Sequence, residues 1–145
     1  MNDIEKAVSM LEGHTLVLVK GERQIVSDKK GIAPMMELIG QGEDLQGYAA
    51  ADVVVGRAAA LLFVYKGIDR VYAGVVSKAA LEIFDIYKVT VTYNKVAEYI
   101  INRAGTGMCP MEQAVLNETD PEKAYRLLLK QYEKLAGEKK SDLRL

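Results

Sequence analysis

Residues 70–93 read as strand, helix, strand, and this segment constrains the fold more than any other. The run Arg70-Val71-Tyr72-Ala73-Gly74-Val75-Val76 is apolar on both faces, as in a strand covered on both sides. Ser77 is a good N-cap for a following helix to Tyr87, with Leu81, Phe84 and Ile86 among its apolar residues. Residues 89–93 then alternate as a second strand. Upstream, residues 15–19 and 24–27 form a hairpin about the turn Lys20-Gly21-Glu22-Arg23. A hairpin followed by strand–helix alternation implies an α/β fold, with a mixed sheet and helices on both faces.

The other segments supply helices. Residues 3–11 form one, capped by Asn2 or Asp3 and stopped at Gly13. Gly31 opens a second through Pro34 to Ile39. Residues 47–51 are a connector, and Asp52 caps a long apolar helix that ends at Gly67. Residues 95–101 form a short helix leading into a glycine-rich loop, and 110–116 form another. The last is amphipathic, starting at Asp120-Pro121-Glu122, with Tyr125, Leu128, Leu129, Tyr132 and Leu135 on one face, and closing at Gly137. The 145 residues are expected to form one domain, with a core at about 14–117, the final helix at about 121–136 and a charged tail at 137–145.

Composition narrows the classes of function. A net charge of −1 gives no general attraction to nucleic acid or an anionic membrane. The longest apolar run, 53–65, is interrupted by Gly56 and Arg57 and falls short of the ~20 residues that span a bilayer. The single cysteine excludes an internal disulfide and fits a reducing cytoplasm, and the N-terminus has no signal-peptide core. A small-molecule ligand and self-association are the partners left open.

The stretch Asn102-Arg103-Ala104-Gly105-Thr106-Gly107-Met108-Cys109-Pro110-Met111-Glu112 gathers the features that point to chemistry. Pro110 suits the first position of a helix, which has no use for its missing N–H. Cys109 then stands at the N-cap, beside unpaired N–H groups and the positive helix end, where a thiolate is favoured. Its other reading is a small residue packed at a helix start. Gly105 and Gly107 either let the backbone approach an anion or form a tight turn. Glu112 falls where it would close a capping box on Cys109.

The segments KGIAPMMELI, ADVVVGRAAALL, VYAGVVSKAALE and YIINRAGTGMCPME resemble a family of uncharacterised bacterial and archaeal proteins, a domain of unknown function with the cytidine-deaminase-like fold. The similarity covers about 15–116, and GTGMCPME is its most specific element. It implies a three-layer α/β/α sandwich on a mixed sheet, with a pocket at helix N-termini beside the central strands. Zinc deaminases carry His-x-Glu and Pro-Cys-x-x-Cys at the starts of two core helices. Here the histidine position holds Asp52, the glutamate position holds Val54, and the cysteine pair is missing from Ser77-Lys78-Ala79-Ala80. With one His and one Cys in the chain, neither a zinc site nor any other cofactor is expected.

The expected site joins Asp52, Ser77, Lys78, Thr106 and Cys109 at three helix N-termini. Cys109 is the candidate nucleophile, Lys78 the group that lowers its pKa or holds an anion, and Asp52 a hydrogen-bonding partner. Arg57, Arg103, Gly105 and Gly107 are the candidate anion contacts, with Ser77 and Thr106 as further ligand-binding residues. Lys78 opposes the dipole of its own helix, which is the reason to suspect it. The competing function is a non-catalytic ligand-binding or interaction module.

Overall fold

The computed structural model describes residues 1–102 and 105–143, with side chains through Gly137. Asn2 caps α1 (Asp3–Met10), its side chain accepting from the Glu5 N–H at 2.9 Å. Strands β1 (Leu16–Lys20) and β2 (Arg23–Ser27) pair as an antiparallel hairpin in which Lys20 faces Arg23. Gly21 in the turn has φ +62°, a conformation that disfavours a side chain. Helix α2 (Ala33–Gly40) follows, with Pro34 in its first turn.

The chain then forms β3 (Ala49–Val55), α3 (Arg57–Tyr65), β4 (Arg70–Ser77), α4 (Lys78–Ile86) and β5 (Thr90–Ala97). Two short connections later come α5 (Pro110–Ala114) and α6 (Pro121–Leu143). The five strands lie in the order β2-β1-β3-β4-β5. Strand β1 is antiparallel to both neighbours, while β3, β4 and β5 are mutually parallel. The mixed α/β sheet expected from the hairpin and the strand–helix alternation is therefore present.

Two clusters fix the layers. Leu16, Leu18, Ala50, Val71 and Ala73 project into a main core with residues of α2, α3, α4 and α6, including Met35, Leu61, Phe63, Phe84 and Leu128. Val17, Val19 and Ala51 project to the other face, where Ala7, Met10 and Leu11 of α1 and its flank cover them. Alternation along each strand sends neighbouring residues to opposite sides.

Four expectations need correction. Asp52 does not cap a helix; it lies within β3, and α3 begins only after Gly56. Residues 49–51 are not a connector; Ala49–Ala51 open β3 and are wholly buried between β1 and β4, on a strand covered on both faces. Residues 95–97 are not helical, because β5 continues through them against β4. Helix α6 passes Gly137 and runs to Leu143, since one glycine costs a helix only about 1 kcal/mol.

Candidate functional site

Strand β3 passes into α3 through Gly56 alone, and β4 passes directly into α4. Both helix N-termini therefore stand at the C-terminal edge of the parallel strands, the edge where open α/β sheets bind ligands. Each terminus has a partner within the chain.

At α3 the partner is a carboxylate from far along the sequence. Glu112 of α5 accepts from the Arg57 N–H through Oε1 and from the Ala58 N–H through Oε2, both at 2.7 Å. Burial pushes the Glu112 carboxyl above its ordinary range, and these two N–H bonds with the Arg57 charge pull it back. A Cβ on Gly56 would come within 2.3 Å of Glu112 Oε1 and 2.7 Å of Ile100 Cγ1, so only glycine admits this approach. The capping box expected between Glu112 and Cys109 is thus replaced by a cap on another helix.

Arg57 does not reach toward a ligand either. It is buried, its Nε donates to the Glu118 carbonyl at 2.9 Å, and its Nη1 donates to Glu82 at 3.4 Å. It ties α3 to α4 and to the α5–α6 connection. An arginine at a helix start opposes the dipole, and Glu112 supplies the compensating charge. The mismatch appears only with α3 starting after Gly56, since a helix capped by Asp52 would place Arg57 beyond its first turn.

At α4 the partner is Ser77, fully buried, whose Oγ accepts from the Ala80 N–H at 3.1 Å. Ser77→Ala is expected to lower stability by about 1 kcal/mol, measured by urea unfolding, because a buried N–H loses its acceptor. Lys78 points to the surface and pairs with Glu98 at 2.7 Å. This pair joins the start of α4 to the residue just beyond β5.

Asp52 is the polar group the core has to accommodate. On β3 it shares a face with Ala50 and lies opposite Leu16 and Ala73, all in the main core. Only 8% of its surface is exposed, and Oδ1 accepts from the Val54 N–H at 3.3 Å. Burial raises its pKa from the usual 3.8 to about 8, with the N–H groups of Val54 and Val53 acting against the shift. Val53 and Val54 beside it are each 42% exposed.

Cys109 is the N-cap of α5, with Pro110 next, as the sequence suggested, but its side chain makes no capping bond. It is half-buried, and its N–H donates to the Ile100 carbonyl at 2.9 Å. The glycine-rich loop is organised around Asn102. The Gly105 N–H donates to the Asn102 carbonyl, and the Thr106 N–H donates to Asn102 Oδ1 at 3.0 Å. Asn102 Nδ2 in turn donates to Thr106 Oγ1 at 3.1 Å. Gly105 has φ +71°, so its glycine serves a turn, and two of the N–H groups expected to cradle an anion bond within the loop. Arg103 lies outside the described residues.

The structure therefore brings Gly56, Arg57, Ile100 and Glu112 together and links Cys109 to them through Ile100. Two surface grooves, of about 490 and 320 Å³, lie along α2 and contain none of Asp52, Ser77 or Cys109. Among the described residues no three His, Cys, Asp or Glu side chains gather closely enough to hold a metal, and no helix is long and apolar enough to cross a membrane.

These features define an α/β domain with a five-stranded open mixed sheet and a buried acid midway along its central strand. The chain belongs to the DUF1893 family, a domain of unknown function, whose model matches residues 6–132. It is similar to the crystal structure of a DUF1893 family protein (TM1506) from Thermotoga maritima, with 31% identity, 90% of each chain covered and a TM-score of 0.81. None of the curated proteins compared matches it.

Proposed function

We propose that this domain binds a small uncharged metabolite, of the nucleobase or nucleoside type, without zinc, on a cytidine-deaminase-like fold. The ligand meets the C-terminal edge of β3, with Asp52 as its polar anchor and Val53 and Val54 as an apolar rim. The observation that carries this reading is Asp52 itself. It is buried among apolar residues, retains a little exposed surface, and is met by the backbone N–H of Val54 at 3.3 Å and that of Val53. A carboxyl held neutral near pH 7 both donates and accepts a hydrogen bond, which suits the edge of a heterocycle. A neutral ligand is favoured over a phosphate, because Glu112 and Ser77 already cap the helix ends that would have received an anion.

Binding is favoured over catalysis by the state of the other candidates. Lys78 is engaged by Glu98, and among the described residues no side chain hydrogen-bonds Cys109 to act as its base. The setting we propose is cytoplasmic. Nuclear magnetic resonance with cytidine, uridine, adenosine and their bases tests the reading. Amide shifts of Val53, Val54 and Ala73 are expected to move with at least one of them, and Asp52→Ala to abolish the change. A full set of unmoved amides in the folded wild-type protein would remove this site. The zinc-free part is checked separately. Elemental analysis is expected to find less than about 0.1 zinc per chain, with the melting temperature unchanged by a chelator, because a structural zinc contributes to folding directly.

A further inference from the structure

We propose that β5 is a self-association edge: two copies pair their β5 strands antiparallel across a two-fold axis at Asn94, joining two five-stranded sheets into one. The inference is independent of the ligand site. The Thr90 N–H donates to the Asp69 carbonyl at 3.0 Å, on the β4 side. Residues of a parallel ladder alternate in the direction of their N–H and C=O groups. Thr90, Thr92, Asn94 and Val96 therefore turn these groups to β4, while Val91, Tyr93, Lys95 and Ala97 turn theirs to the open edge. Among the described residues nothing hydrogen-bonds that side of β5, which ends the sheet.

Natural sheet edges are kept short, charged, bulged or covered. The opposite edge, β2, has five residues and begins with Arg23. Strand β5 has eight, with Lys95 its single charge, and leaves Tyr93 45% and Val96 46% exposed. Exposed Tyr99 and Ile101 extend the apolar surface just past the strand.

A second copy fits this edge because one two-fold register satisfies all four outward residues with one another. Val91 then faces Ala97 and Tyr93 faces Lys95, each twice by symmetry, with Asn94 facing Asn94 on the axis. One step further along sets Lys95 against Lys95, and one step back leaves Ala97 opposite a residue outside the strand. In the favoured register the only charge of each strand meets the partner's tyrosine, where cation–π attraction is available, and β-branched Thr92 faces Val96. A net charge of −1 sets no general repulsion between copies. Such an interface uses the same patch twice and closes at two chains.

Sedimentation and light scattering of the full chain are expected to give twice the 16.0 kDa chain mass. Hydrogen exchange of that species is expected to protect the amides of Val91, Tyr93, Lys95 and Ala97 as well as those bonded to β4. Tyr93→Lys places like charges opposite each other twice and is expected to weaken the dimer at least tenfold, on the order of two cross-strand pair energies. Tyr93→Glu, set against Lys95, is expected to keep it. A monomer at about 100 µM, where mass action favours association, would overturn the proposal. So would a dimer in which those four amides exchange freely while Thr92, Asn94 and Val96 stay protected. If Tyr93→Lys fails to fold, the wild-type exchange pattern decides alone.

Discussion

Gly56→Ala is expected to cost about 3–5 kcal/mol of folding stability and to lower the melting temperature by about 10 °C or more. The added methyl would need the space held by the Glu112 carboxylate, 2.3 Å away. Displacing that carboxylate strips the first two N–H groups of α3 of their acceptor and leaves Arg57 with Glu82 alone as its nearby anion. Glu112→Ala is expected to cost a similar amount for the same reason, since buried donors without partners carry the full desolvation penalty. The double variant distinguishes this account from general fragility. With Glu112 already truncated, the methyl at position 56 no longer displaces the carboxylate and has only Ile100 Cγ1, 2.7 Å away, to push aside, so the two effects should fall short of additive. Full additivity in urea unfolding would mean that the two residues act separately and that the α3 cap is not their common element.

Folding stability is expected to fall as the pH rises from about 5 to about 9, through the burial of Asp52. Its folded pKa, about 8, lies above the unfolded value of 3.8. The folded state therefore holds a proton that the unfolded state has released, so the contribution is whole below the unfolded pKa and is lost as the pH passes the folded one. The loss across this window is on the order of 5 kcal/mol. Glu112, also raised by burial, adds a change of the same sign. Asp52→Asn isolates the first part: its stability should vary much less with pH, and at pH 9 it should exceed the wild type. Parallel curves for the two proteins would show that Asp52 ionises freely in the fold, which also removes the neutral carboxyl from the proposed binding site. Cys109→Ser makes a useful control, since its side chain takes no part in capping and the variant is expected to stay within about 0.5 kcal/mol of wild type.

Much of the frame was legible from local pattern. The hairpin about Gly21, the doubly apolar β4, the Ser77 cap and the Cys109-Pro110 helix start each depend on residues within a few positions of one another. Local chemistry of that kind acts whether or not the rest of the chain is in place. The stretch from Ala49 to Tyr65 is different. Three alanines, an acid and three valines offer both helix and strand, and the choice goes to strand because β1 and β4 flank it on both sides. The break at Gly56 marked the true boundary, and the β-branched Val53–Val55 run was its only local sign.

The candidate site divides in the same way. Asp52, Ser77 and Cys109 could be singled out by residue type and neighbours, and the sequence alone determined that zinc ligands of the deaminase kind are missing. Only the tertiary structure decided what each residue does. It carried Glu112 across 55 positions to the start of α3, turned Arg57 inward to Glu118, closed the Gly105 loop on Asn102, and set Asp52 in the core facing Leu16 and Ala73. The physical reason is that hydrogen-bond partners and dielectric surroundings are properties of packing. A carboxyl's place in the sequence says which atoms it brings, while the groups packed around it determine whether it is a cap, an ion or a neutral acid.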